Sequence, residues 1–166
     1  METVVHFRAT PNLHVWRPAD GNETSAAYLV AIKSRTTPSI LSLSRHNLPQ
    51  LEGSTIERAA KGGYVLHEVE GKEDLTIVAT GSEVSIAVDA ASKLGSSGYK
   101  VRVVSLPSWE VFDSQDFEYR YSVLRSGAPI LSVEAYTVSL NFFSWMVLCD
   151  SNCVCFLDCR MGEVQP

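Results

Sequence analysis

The sequence predicts an α/β protein built from parallel, doubly wound units and divided into two incomplete domains. Two observations carry that prediction. Short apolar, β-branched runs alternate with helix-length amphipathic segments, and a strand–helix–strand rhythm stands on both sides of a long glycine-containing connector.

The first unit opens with Leu13-His14-Val15-Trp16, a short strand ended by Pro18. Asp20 is a good N-cap, and Glu23 three residues later completes a capping-box spacing. A helix is expected from Gly21 to about Ser34, burying Ala26, Leu29, Val30 and the stem of Lys33 until Thr37-Pro38 stops it. Ser39 to Leu43 follows as a second strand, and strand–helix–strand at this spacing makes the two strands parallel neighbours.

Arg45 to Gly63 is a connector with one helical turn near Thr55 to Ala60, and its length marks a domain boundary. Beyond it, Tyr64 to Val69 reads as an edge strand and Leu75 to Ala79 as a strand buried on both faces. Thr80-Gly81 turns the chain, Ser82 is expected to cap, and Glu83 suits the positive end of a helix dipole. That helix runs to about Leu94 with Val84, Ala87, Val88 and Ala91 on one stripe, and Gly95 and Gly98 end it. Val101 to Leu106 is the next strand, Asp113 to Leu124 a helix, and Ile130 to Val133 a third parallel strand.

Composition narrows the function classes. The 166 residues are 45% hydrophobic and 20% charged, enough apolar content for a buried core without disulfides or a structural metal. A net charge of -5 with basic residues scattered singly (Arg8, Arg17, Lys33, Arg35, Arg45) argues against nucleic acid or an anionic membrane as partner. A phosphate-bearing small molecule needs only one or two such residues. Met1 to Phe7 lacks a signal-peptide pattern, and Leu140 to Cys149 is half the roughly 20 residues of a membrane span, so a cytoplasmic setting is expected.

Several sites read as structural. Asp20 and Glu23 are a helix cap before they are an acid–base pair, and Thr80-Gly81-Ser82 is a plain turn before it is an anion site. His6, His14 and His67 have no partner at metal or triad spacing, and the Asn22-Glu23-Thr24 sequon is idle in a cytoplasmic chain. Cys149, Cys153, Cys155 and Cys159 form C-x3-C-x-C-x3-C, which departs from the paired spacing of structural zinc sites.

The stretches FRATPNLHVWRPADGNETSAAY, TPSILSLSRHNLPQLEG, KGGY, IVATGSEVSIAV, VRVVSLPSWEVFD and PILSVEA resemble transketolases, in order and over residues 2–137. The resemblance implies that residues 1–45 end a pyrimidine-binding domain, 46–63 connect, and 64–137 begin a C-terminal domain. It implies the transfer of a two-carbon ketol unit between sugar phosphates in the pentose phosphate pathway, with thiamine diphosphate and Mg²⁺ or Ca²⁺ as cofactors. It also implies a sugar-phosphate site at Arg45, the arginine of SR-x-NLP, with Ser44 beside it. Arg45 follows a predicted parallel strand, where ligands of such sheets sit, and a guanidinium is a fixed fork for phosphate oxygens. His46 stands where the family usually has Gln, and a bystander role is preferred for it.

Family members are much longer. The diphosphate-binding domain, the activating glutamate and the substrate-binding histidines have no counterpart between Met1 and Pro166, so no cofactor is expected on this chain alone. A homodimer, or docking to a full-length transketolase as a non-catalytic paralogue, is a second reading, and a dihydroxyacetone synthase fragment is a third. Residues 138–166 break from the family text at Thr137-Val138, and codons for Val138-Ser139 can spell the donor-like GTGAGT. Translated intron or frame-shifted sequence is the expectation for Ser139 to Pro166. Sequencing the transcript tests it: a retained intron is expected, and a fully spliced message encoding the same tail would contradict it.

Overall fold

The computed structural model describes residues 3–125 and 127–134, and the backbone of 154–158. Six helices and seven strands make up this part: α1 (Thr3–Arg8), β1 (His14–Trp16), α2 (Gly21–Lys33), β2 (Ser39–Leu41), α3 (Ile56–Ala59), β3 (Tyr64–His67), β4 (Leu75–Ala79), α4 (Glu83–Ser96), β5 (Val101–Ser105), α5 (Trp109–Asp113), α6 (Phe117–Val123), β6 (Ile130–Glu134) and β7 (Val154–Asp158). The α/β class with parallel units is as the sequence predicts.

β1 and β2 pair in parallel, with His14 opposite Ser39 and Trp16 opposite Leu41, and α2 crosses between them. Asp20 caps α2 by accepting the Glu23 N–H at 2.9 Å. The buried face of this helix differs from expectation. Ala26 and Ala27 are buried, Val30 is half-buried, and Leu29 and Lys33 are exposed. The helix is wedged between two neighbours, with Ala26 in the main core and Ala27 against Trp16 and Val111. Close approach on both sides requires small side chains there, which turns the larger Tyr28, Leu29 and Ile32 outward.

The second sheet has the order β3-β5-β4-β6-β7. β3 is antiparallel to β5 at one edge, while β5, β4, β6 and β7 run parallel. β4 and β5 are buried as their sequences demand, and α4 lays Val84, Ala87 and Ala91 on this sheet with Val88 partly covered. Three local expectations need correction. Ser82 is already helical (φ -60°) and makes no capping bond, because its hydroxyl donates to Glu83 Oε1 at 2.8 Å. Gly95 lies inside α4, and only Gly98, at φ +90°, adopts the left-handed conformation beyond its end. The helix expected over 113–124 is α6, which starts only at Phe117 because Asp116 caps it by accepting the Tyr119 N–H at 2.7 Å, and Asp113 instead ends α5, a helix the sequence reading lacked. Helix α1 had no counterpart in the sequence reading. The Val154–Asp158 strand likewise falls in a stretch where the sequence has no clear period.

The connector is packed into the protein. Leu51 and Ala59 join Ala19, Ala26, Tyr64, Ile77, Val84 and Val103 in one core cluster, so residues on both sides of it share the interior. Gly62 explains the double glycine that follows. At φ +84° it lies so close to α5 that a Cβ would sit 2.4 Å from the Phe112 nitrogen. Its carbonyl accepts the Ser108 N–H at 2.9 Å.

Glu23 ties the two sides together. Its Oε2 accepts the Ala19 N–H at 2.6 Å, while its Oε1 accepts hydroxyl bonds from Tyr64 at 2.9 Å and Ser105 at 2.6 Å. The side chain is fully buried, and burial pushes its pKa from 4.5 up to about 7 against the opposing pull of its hydrogen bonds. A carboxyl whose folded pKa is raised favours folding in its protonated form. That contribution is complete below the unfolded pKa and is lost as pH rises through about 7. Urea unfolding of the full chain between pH 5 and 7.5 should therefore show a falling midpoint, with up to about 3 kcal/mol assigned to this group. Glu23→Gln, a neutral mimic, should flatten the profile in that window, and an unchanged slope would reject the assignment.

Candidate functional site

The carboxyl ends of β1 and β2 frame a cavity of about 450 Å³. Its lining is Pro18, Asp20, Gly21 and Thr24 from the start of α2, and Leu43, Ser44, His46, Asn47 and Leu48 from the loop after β2. Beyond the carboxyl ends of parallel strands, beside the N-terminus of a crossover helix, is where open α/β sheets bind anionic ligands.

Asp20 organises this cavity. One carboxylate oxygen caps α2, and the other accepts Gln50 Nε2 at 2.6 Å and the Leu51 N–H at 3.2 Å. The first connects the cavity to the helix, and the second ties down the far end of the SR-x-NLPQLEG segment. Together with the bonds at Glu23, this engages both oxygens of both carboxylates in structure, as a cap reading requires and an acid–base pair does not. Asn22 of the sequon also has a structural bond, donating to the Ser54 carbonyl at 2.8 Å.

Ser44 and Arg45 stand just past β2. The Ser44 hydroxyl accepts the His46 N–H at 3.1 Å, a local turn that sets the direction of the loop. Ser44 and His46 line the cavity, and Arg45 lies between them in the chain. Arg45 is exposed and makes no hydrogen bond or ion pair with the described residues.

A second polar cluster lies at the carboxyl ends of β4 and β6. Arg17, immediately after β1, inserts its guanidinium into the Thr80–Gly81 turn. Nη1 donates to the Thr80 hydroxyl at 2.6 Å and to Glu134 Oε1 at 2.8 Å, and Nη2 donates to Glu83 Oε2 at 2.9 Å. Arg8 adds a bidentate pair to Glu134 at 2.7 and 2.9 Å. Arg17, Thr80, Glu83 and Glu134 are all at most 6% exposed. Burial alone would raise the Glu134 pKa, but the Arg8 and Arg17 guanidiniums outweigh it and hold the group below the ordinary carboxylate range. The turn is thus occupied by a cation of the chain itself, and the Gly81 and Glu83 N–H groups donate to the Arg17 and Thr80 carbonyls, which takes those donors from the anion alternative at Thr80-Gly81-Ser82.

The sequence reading missed this cluster, counting Arg8 and Arg17 as scattered charges. The signal was positional. Arg17, Thr80 and Glu134 each stand at or just past the carboxyl end of a predicted parallel strand, the edge toward which the loops of such sheets converge.

His14 is in β1 and His67 in β3, and no group of three His, Cys, Asp or Glu among the described residues could hold a metal ion. Cys155 belongs to β7, whereas Cys149, Cys153 and Cys159 lie outside the described residues. No helix among the described residues is long and apolar enough to cross a membrane.

Comparison with known proteins matches residues 1–50 to the transketolase pyrimidine-binding domain and residues 62–151 to the transketolase-like C-terminal domain. The second match runs past Thr137-Val138. Transketolase 2 of Saccharomyces cerevisiae is 61% identical over 140 residues, which is 84% of this chain and 20% of the relative. The crystal structure of transketolase from Pichia stipitis in complex with sedoheptulose 7-phosphate superposes with a TM-score of 0.80 at 61% identity, over 87% of this chain and 21% of that one. A split-gene transketolase, described as an inactive β4 tetramer, superposes with a TM-score of 0.71 at 25% identity over 93% of this chain and 51% of its own. The chain spans about a fifth of the length of the curated relatives it matches. By these matches and by its fold, the chain belongs to the transketolase family.

Proposed function

We propose that this chain supplies the sugar-phosphate anchor of a thiamine diphosphate-dependent ketol transferase of the pentose phosphate pathway, and that it does not complete the reaction by itself. The observation that carries this reading is the cavity at the strand ends, lined by Ser44 and His46 with Arg45 between them in the chain, and with a 13-residue helix opening onto it. Arg45 is uncommitted among the described residues, as a residue that waits for a phosphate should be. Its role is orientation: holding the phosphate end of the sugar fixes the distance of the reacting carbon from the coenzyme.

Thiamine diphosphate, when bound, supplies the carbanion-stabilising ylid of the family reaction. Its diphosphate needs a divalent cation with oxygen ligands. The described residues do not fit that half of the cofactor. They contain no grouped set of metal-binding side chains, and Asp20, Glu23, Glu83 and Glu134 are committed to protein donors.

A second reading has its own support. β2 is an edge strand among the described residues, and Tyr28 and Ile32 on the neighbouring helix are 52% and 78% exposed. Such a surface suits docking to the remainder of a longer chain, a second copy or a full-length transketolase. The split-gene relative, named as an inactive tetramer, fits the idea that such a piece is incomplete without a partner. A cytoplasmic setting goes with either reading.

A coupled assay with xylulose 5-phosphate, ribose 5-phosphate, thiamine diphosphate and Mg²⁺ should detect no turnover by the chain alone. Turnover at an enzymatic rate would overturn the proposal. Titrated with ribose 5-phosphate, Arg45→Ala should lose about tenfold in affinity, the worth of one charge-assisted hydrogen-bond pair, and equal affinity would remove Arg45 from the role.

A further inference from the structure

A second cleft, of about 490 Å³, opens on the other side of the main sheet, among α3, β3 and α6. It carries Arg58, Lys61, Arg102 and Arg125 against Glu57 and Glu68, with the buried Glu73 carboxylate 3.8 Å from Arg125 Nη1, so cations still outnumber carboxylates in a chain whose net charge is -5. Two of its cations are fixed by neutral acceptors. Arg102 donates to the Val123 and Ser122 carbonyls, each at 2.7 Å, and Arg58 donates to the carbonyls of Gly53 and Val65. Carbonyl bonds orient a guanidinium without cancelling its charge, so the cleft keeps a positive field. Lys61 Nζ lies 4.2 Å from the centre of the Tyr119 ring, on an exposed side chain.

Glu68 occupies the centre of this field. Its Oε1 is 3.1 Å from Arg102 Nε, and its Oε2 accepts Arg125 Nη2 at 3.2 Å. The first contact is close but misaligned, so the fully buried Arg102 Nε has an ion pair and no hydrogen bond. Glu68 itself is half exposed, at 49%. A half-exposed carboxylate that bridges two guanidiniums imperfectly, from the solvent side, marks a position for a better-shaped oxyanion.

We infer that this cleft is an anion site, taking a phosphate-type oxyanion that displaces the Glu68 carboxylate from Arg102 and Arg125 and draws in Lys61. A free tetrahedral oxyanion directs its oxygens out of one plane and can carry more than one charge, so it can meet the misaligned Arg102 donor, Arg125 and the ammonium from three directions, which the planar, tethered Glu68 carboxylate cannot. The site is separate from the Ser44–Arg45 cavity and does not depend on the reading given to it.

The test is a titration of inorganic phosphate into the full chain at constant ionic strength, followed by backbone amide NMR. Saturable shifts centred on Lys61, Glu68, Arg102 and Arg125 are expected. Lys61→Ala, at an exposed position that folding tolerates, should weaken this binding about tenfold. Glu68→Gln should tighten it several-fold, because the internal competitor is gone. Small non-saturating shifts at all exposed basic residues, or weaker binding by Glu68→Gln, would overturn the inference. Shifts at Ser44 and Arg45 alone would also overturn it while supporting the substrate anchor, so the two proposals fail separately. A parallel titration with glycerol phosphate distinguishes a free ion from a phosphate ester, and saturation by either supports the site.

Discussion

A single arginine side chain determines how the two parts of this protein meet. The Arg17 guanidinium is out of water, and its charge is tolerable only while Glu83, Glu134 and Thr80 surround it. Those partners come from the end of β4, the start of α4 and the end of β6, whereas Arg17 comes from the end of β1. Loss of one member of such a set leaves an uncompensated buried charge, costing roughly 3–5 kcal/mol. The set therefore dictates geometry more than it adds net stability. Its influence reaches the candidate site directly, because Pro18 and Asp20, the first wall of the cavity, follow Arg17 within three residues.

The same contact explains why the site lies where it does. In the main sheet, β5 lies on one side of β4 and β6 on the other, so the carboxyl end of β4 is the topological switch point. Open α/β sheets usually bind a ligand there. Here that crevice is filled by Arg17, and Glu134 is held ionised by two guanidiniums. The open strand ends are those of the two-stranded β1–β2 unit, where Ser44 and Arg45 stand. Glu23 adds a neutral-pH counterpart on the inner side of α2, joining the Ala19 backbone to hydroxyls of β3 and β5. One interface thus carries a charged lock and a titratable one.

Much of the fold was legible because local signals agreed with one another. The β1–α2–β2 unit announced itself through Asp20, Glu23 and Thr37-Pro38, and β4 through its unbroken run from Leu75 to Ala79. What failed to show was what depends on neighbours distant in sequence. Leu29 looked buried by helical period, but the tight contacts of α2 on two sides fall on Ala26 and Ala27. Asp116 starts its helix at Phe117, four residues past the start expected at Asp113. The Arg8–Arg17–Glu134 cluster spans more than a hundred residues of sequence, so no local motif could announce it. At the candidate site the capping role of Asp20 was readable from spacing, whereas its grip on Gln50 and Leu51 was not.

Native-state hydrogen exchange on the full chain tests most directly whether the two parts are locked into one cooperative unit. Amides of β1 and α2, such as Trp16 and Ala27, should have the same opening free energy as Val78 and Val104 in β4 and β5, and should converge with them as denaturant is added. Exchange of β1 and α2 through a separate, much lower-energy opening, while β4 and β5 stay protected, would contradict the account.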